Sequence, residues 1–149
     1  MARFKFRMQN ILNLKEKLET QAEMRFAQQK KVLDEAVRYK EVLLLRKEQL
    51  AEEGRRIRTD ELDLLEIQNN DLSRRLCDED IIRAEERIKR EEHVLELRRQ
   101  ELEKVMKERK AQEKLREHAF QRFLQEEAAA ESKQIDELTS YQYGQKQAE

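Results

Sequence analysis

Few side chains in this sequence could carry out chemistry, and their spacing argues against each in turn. His93 and His118 fall on one predicted helix with no glutamate three residues before either. The Glu-x-x-His arrangement that holds paired metal ions between helices is therefore missing. No His-Glu-x-x-His occurs, and two glycines cannot build a phosphate-cradling loop. Cys77-Asp78-Glu79-Asp80 resembles a small ligand set, but acids opening a helix beside a half-buried thiol explain it better. Gly54 to Arg58, Gly-Arg-Arg-Ile-Arg, could touch nucleic acid as a basic stretch beside a coiled coil does. It falls at a predicted turn rather than in a continuous basic helix, so a solvated turn is the first reading. The sequence thus predicts no catalytic residue, no cofactor and no metal ligand. An elongated pair of helices also lacks the water-excluding pocket that catalysis needs, and a non-enzyme is expected.

The elements that carry these side chains must be long helices. Charged residues make up 44% of the 149-residue chain and hydrophobic ones 38%, with no proline and no tryptophan. Glu, Lys, Arg, Leu and Gln lose little on entering a helix, and a compact core needs more bulky apolar material than this. Net charge is −1, from 32 basic and 33 acidic residues. Such balance gives no general attraction to nucleic acid or to an anionic membrane. The longest bulky apolar run, Val42 to Leu45, falls far short of the ~20 residues of a transmembrane helix. No apolar secretory segment follows the basic start. The lone Cys77 forms no internal disulfide and suits a reducing compartment, so a cytoplasmic location is expected.

Apolar residues recur at helical spacing along most of the chain. In the first half the stripe reads Ile11, Leu14, Leu18, Ala22, Phe26, Leu33, Val37 and Leu44, with Ile11, Ala22, Leu33 and Leu44 eleven apart. In the second half Ile81, Ile88, Leu95 and Leu102 repeat every seven, accompanied by Ala84 and Val105, while Glu91 and Arg98 interrupt the companion seam. Between them Gly54 weakens helix by ~1 kcal/mol relative to alanine. Thr59 and Asp60 suit the N-cap of a helix starting near Glu61. Gln68 to Ser73 offers a further interruption, and Asp78 could cap a long final helix. The expected fold is all-α: one elongated antiparallel two-helix coiled-coil hairpin. Its first helix covers about 4–57, a connector with room for a short helix about 58–77, and a second helix about 78–138. A tail over 139–149, containing Gly144, should fray. The stripe by itself suits a monomeric hairpin and a self-associated antiparallel dimer of straight helices equally.

Charge supports folding back. Through Leu18 the chain carries Arg3, Lys5, Arg7, Lys15 and Lys17 against Glu16; from Gln125 it carries Glu126, Glu127, Glu131, Asp136, Glu137 and Glu149 against Lys133 and Lys146. Each cluster opposes the dipole of its own helix, and antiparallel pairing sets each beside its complement. Aromatics also mark both ends, with Phe4 and Phe6 at the start and Phe120 and Phe123, next to Leu124, near the finish. Packing at the open end of the hairpin is one role for them. Display to another protein is the other, since aromatics and arginine dominate binding hot spots. Phe4, Phe6, Arg7, Phe120 and Phe123 are therefore candidate partner-binding residues. Tyr39, Val42 and Leu45, apolar on more than one face of the first helix, are a second candidate set.

The opening Arg3 to Glu19, RFKFRMQNILNLKEKLE, resembles the start of the flagellar FliJ family, whose members begin Phe-x-Phe-Arg before a leucine-rich helix. Phe4, Phe6, Arg7, Leu12, Leu14, Lys15 and Glu16 match that pattern. Leu115 to Glu137 is similar to the family's ending through Leu115, Arg116, Glu117, Phe120, Phe123, Glu126, Glu127, Glu131, Lys133, Asp136 and Glu137. The resemblance implies a soluble coiled-coil component of the bacterial flagellar type III export apparatus, similar to the central stalk of rotary ATP synthases. It implies binding to the hexameric export ATPase by the terminal tip, help in its assembly, and coupling to the membrane-embedded export gate and to export chaperones. A separate expectation, which no family motif fixes, assigns the gate contact to the region of Tyr39, Val42 and Leu45. Location would be cytoplasmic, with peripheral attachment to the inner membrane through the apparatus. Two alternatives stand beside this reading: the stalk of a virulence-type secretion system, and a generic or nucleic-acid-binding coiled coil.

Overall fold

A computed structural model describes residues 2–59 and 61–148. Asp60, an expected N-cap, and Glu149, one of the acids near the C-terminus, lie outside them. Two helices pack against each other as a helical hairpin, with no strand among the described residues. Helix α1 spans Gln9–Arg56 and α2 spans Leu64–Ala148. The chain divides into two compact units: Met1–Thr20 with Lys104–Glu149, and Gln21–Glu103.

The helix boundaries depart from the expected ones for local reasons. Residues 2–6 are not helical, and α1 opens only at Gln9 rather than near position 4. Three cations at positions 3, 5 and 7 would oppose the dipole of a helix started there, and Phe4 instead packs its ring on α2. At the other end of α1, Thr59 is no N-cap: its hydroxyl donates to the Arg56 carbonyl at 2.7 Å, closing the helix. Arg55 and Arg56 in the last turn suit the dipole there.

The second helix is longer than expected at both ends, beginning at Leu64 rather than near Asp78. Asp63 is its N-cap, its Oδ1 accepting the Leu65 backbone N–H at 3.0 Å. Gln68 to Ser73 is uninterrupted helix because the Asn70 side chain bonds across to α1, not to its own backbone. The segment 139–148, expected to fray, is helical through Ala148. One glycine there costs only ~1 kcal/mol, and no proline stops the helix.

The unit of residues 21–103 meets along a seam of small and medium side chains. On α1 it buries Ala22, Ala36, Leu43 and Leu50, with Ile57 just past the helix end; on α2 it buries Asn70, Cys77, Ile81 and Ala84. Ile88, Leu95 and Leu102 continue the α2 face half-buried, as their seven-residue repeat predicts. The stripe expected on α1 needs correction. Leu43 is 7% exposed while its neighbour Leu44 is 43% exposed, and Ala36 is buried while Val37 is not. Close approach of the helices favours alanine, which a search for bulky residues overlooks. Partner order proves the antiparallel sense: Gln29 bonds Glu91, Lys40 pairs with Glu85, Lys47 with Asp78 and Arg58 with Asp71.

Candidate functional site: an aromatic clasp at the terminal unit

In the unit that holds both chain ends, the non-helical lead-in places Phe4 against two phenylalanines of α2. The Phe4 and Phe120 ring centroids are 5.1 Å apart at 72°, an edge-to-face contact. Phe123 lies 5.6 Å from Phe4 and 6.4 Å from Phe120. Arg116 completes the cluster, its Cζ 5.6 Å from the Phe4 centroid, where the ring face attracts a cation. The same guanidinium donates through Nε to Gln9 Oε1 at 3.1 Å. The Gln9 backbone N–H donates to the Phe6 carbonyl at 3.1 Å and opens α1. Ring packing, cation and helix start therefore form one connected arrangement.

Below the clasp the helices are tied by charge. Lys15 Nζ reaches Glu108 Oε2 at 2.9 Å, and Lys15's hydrogen bond holds the Glu108 carboxyl below the ordinary glutamate range. Arg109 joins Glu19 across the helices and Glu113 along its own at 2.8 Å. The hydrogen bonds from Glu19 first, then Glu113, push its guanidinium's pKa upward. Leu12 is the buried apolar anchor here. A cleft of about 380 Å³ opens beside it, lined by Gln9, Leu12, Glu16, Arg116 and Phe120 among others. A second, of about 310 Å³, is lined by Arg3, Phe4, Lys5, Arg122, Phe123 and Glu126.

Of the candidate tip residues, the structure brings Phe4, Phe120 and Phe123 together. Phe6 is half-buried and contributes its carbonyl, and Arg7 is exposed. Among the described residues Arg3, Lys5, Arg7 and Arg122 have no ion partner. The expected match of N-terminal cations with C-terminal acids is met only in part. Lys15 chooses Glu108, and Arg3 and Lys5 share a cleft with Glu126. Glu131, Asp136 and Glu137 pair with nothing described, because α2 runs on past the lead-in with every described residue from Ala128 exposed. Sequence reasoning missed the parts played by Leu12, Gln9 and the Arg116 guanidinium; arginine four residues before Phe120 was the available signal.

The other candidates are scattered. Tyr39, Val42 and Leu45, three apart on α1, are 49%, 63% and 56% exposed, an open apolar row in the other unit. Cys77 is buried with its Sγ 3.5 Å from the Leu43 carbonyl; Asp78 pairs with Lys47 and Asp80 with Arg83. That run therefore forms no ligand set, and no group of metal-holding side chains exists among the described residues. In the basic run, Ile57 and Gly54 are buried and Arg58 is held by Asp71 and the Gly54 carbonyl. No helix of the described residues is long and apolar enough to cross a membrane.

The structure is thus a helical hairpin whose terminal unit holds an aromatic cluster beside Arg3, Lys5 and Arg7, which have no ion partner among the described residues. The chain matches the family model described as "Flagellar FliJ protein" over residues 4–148, and it belongs to that family. It is therefore a component of the flagellar export apparatus, from a non-catalytic family. No curated protein and no solved structure matches it.

Proposed function

We propose that this chain binds the hexameric ATPase of the flagellar export apparatus through its terminal tip, promotes ring assembly, and couples the ATPase to the export gate and to chaperone-delivered subunits. The observation that carries this reading is the clasp itself. Phe4, Phe120 and Phe123 fix the lead-in, and Arg3, Lys5 and Arg7 stand beside it unpaired among the described residues. A rigid aromatic base with free cations around it is the composition of a binding hot spot. The exposed row Tyr39, Val42 and Leu45 is the surface assigned to the membrane-embedded gate. The protein works on the cytoplasmic side, attached to the inner membrane only through the apparatus.

Co-purification with the flagellar export ATPase, followed by ATPase stimulation, tests the tip. Arg7 is exposed and outside the clasp, so Arg7→Glu separates binding from folding. It should weaken ATPase binding about tenfold, the equivalent of ~1.4 kcal/mol, and leave helicity unchanged. Replacing Phe4 and Phe6 together by alanine should weaken binding further. Unchanged binding and stimulation in both variants would sink the tip assignment.

A further inference from the structure

The seam of the unit spanning 21–103 repeats so regularly that it does not by itself choose one alignment. Ala36, Leu43 and Leu50 on α1 and Ile57 just past its end are seven apart; on α2, Asn70, Cys77 and Ala84 are seven apart, as are Ile81, Ile88, Leu95 and Leu102. Sliding one helix by a heptad still sets Cys77 against Ala36, and only Gln29, which would meet Ala84, interrupts the apolar match beyond Asn70. The ion pairs repeat likewise. Lys40 with Glu85 and Lys47 with Asp78 are seven apart on both helices, so a slip hands Asp78 from Lys47 to Lys40. The connector offers weak resistance. Among the described residues from Arg58 to Asn69 only Ile67 is even half-buried, so the first turns of α2 can unwind with little loss of packing.

Two residues break the repeat. Asn70 is 5% exposed, and its Nδ2 donates to the Leu50 carbonyl across the seam at 3.0 Å. Its Oδ1 is buried without a hydrogen-bond partner. That oxygen fits because the facing residue is Gly54: a Cβ there would stand 2.6 Å from it, closer than real contacts allow. A one-heptad slip brings Asn70 opposite Lys47, which has a Cβ. Asn70 would then either clash or leave its whole amide buried and unbonded, a cost that apolar side chains at the same place do not incur. Gln29, whose Nε2 donates to the Glu91 carbonyl at 3.1 Å, adds a second mark, since the slip would set Glu91 against Ala22.

We propose that Gly54 and Asn70 form a register lock, a glycine notch and a buried amide that admit only one stagger of α1 against α2. A single buried asparagine that fixes alignment at some cost in stability is a known device of coiled coils. Here it acts between two helices of one chain, and glycine supplies the selectivity. The lock prevents sliding of the helices past each other in this unit, so movement can be transmitted by the unit as a body and not by a change of stagger.

The test uses the full chain with Cys77→Ala, carrying spin labels at Arg46→Cys and Glu79→Cys, both exposed positions. With Asn70 present, one inter-label distance is expected. With Asn70→Leu, stability should hold while a second distance appears from molecules slipped by a heptad, ~10 Å along the axis. A single distance in Asn70→Leu overturns the lock. The steric half is read from a mutant cycle in urea. Gly54→Ala should lower the folding equilibrium constant about tenfold despite alanine's better helix propensity, and should raise it when Asn70→Ala is also present. If Gly54→Ala stabilises the chain with Asn70 intact, the notch has no role.

Discussion

In the unit of residues 21–103 the chain meets itself through Ala36, Leu43, Leu50 and Ile57 against Cys77, Ile81 and Ala84, all of them buried. In the unit that holds the chain ends, Leu12 is the one deeply buried apolar residue among those described. There a ring cluster, an arginine on a ring face and two cross-helix ion pairs hold the lead-in and α1 to α2. The first arrangement takes its strength from area removed from water. The second takes modest strength from several directional contacts, and it keeps Phe120, Leu124 and the cations within reach of another molecule. The buried seam and the aromatic cluster thus fall in different stretches of one helical pair.

If that division is right, the largest effect belongs to the seam. Leu43→Ala should destabilise the chain by about 3 kcal/mol, within the usual range for truncating a buried leucine. Leu44→Ala, one residue along, should change stability by no more than ~0.5 kcal/mol. Urea unfolding followed by circular dichroism measures both. Equal losses would mean that the seam passes between the two leucines and that the contrast between the units is wrong.

The same pair of leucines shows what could be read in advance. The repeat Ile81, Ile88, Leu95 and Leu102 was legible because each position is bulky and each neighbour polar. On α1 the run Val42 to Leu45 fills every direction around the helix, and the true seam passes through Ala36, too small to stand out. Gly54 and Asn70 read as helix breakers when each is viewed alone; set opposite each other, they are one fitted contact. The clasp was legible for a different reason. Rare aromatics at both ends of an antiparallel chain must come together, so Phe4, Phe120 and Phe123 could be grouped without knowing the register. Helix ends were the least legible, because Asp63 and Thr59 act through backbone geometry that any nearby polar residue could have supplied.

An intermediate effect is expected at the clasp. Phe4→Ala removes two ring contacts and the ring beneath Arg116. Aromatic pairs contribute about 0.5–1.5 kcal/mol each beyond their area, and Phe120 is itself 41% exposed. A loss of about 1–2 kcal/mol, well below that of Leu43→Ala, should follow. Hydrogen exchange should locate it: amides near Gln9 and Leu12 should exchange faster, while those around Leu43 and Ile81 stay protected. Faster exchange at Leu43 as well would show that the ends and the seam open together.

The smallest effect concerns one carboxyl and distinguishes ties across the helices from ties along them. The Lys15 hydrogen bond holds Glu108 below its ordinary range, and the Arg99 hydrogen bond does the same for Glu96 along α2. A carboxyl whose folded pKa is depressed adds stability above its unfolded value, near 4.5. That contribution disappears as the pH falls through the lower folded value. Carboxyl titration by carbon NMR in Lys15→Met should therefore return Glu108 upward to the ordinary range and leave Glu96 where it is. Salt should narrow the Glu108 difference, since the pair is near the surface. Should Glu108 stay depressed without Lys15, this tie would be incidental, and the clasp, Leu12 and the Arg109–Glu19 pair would have to hold the lead-in and α1 against α2.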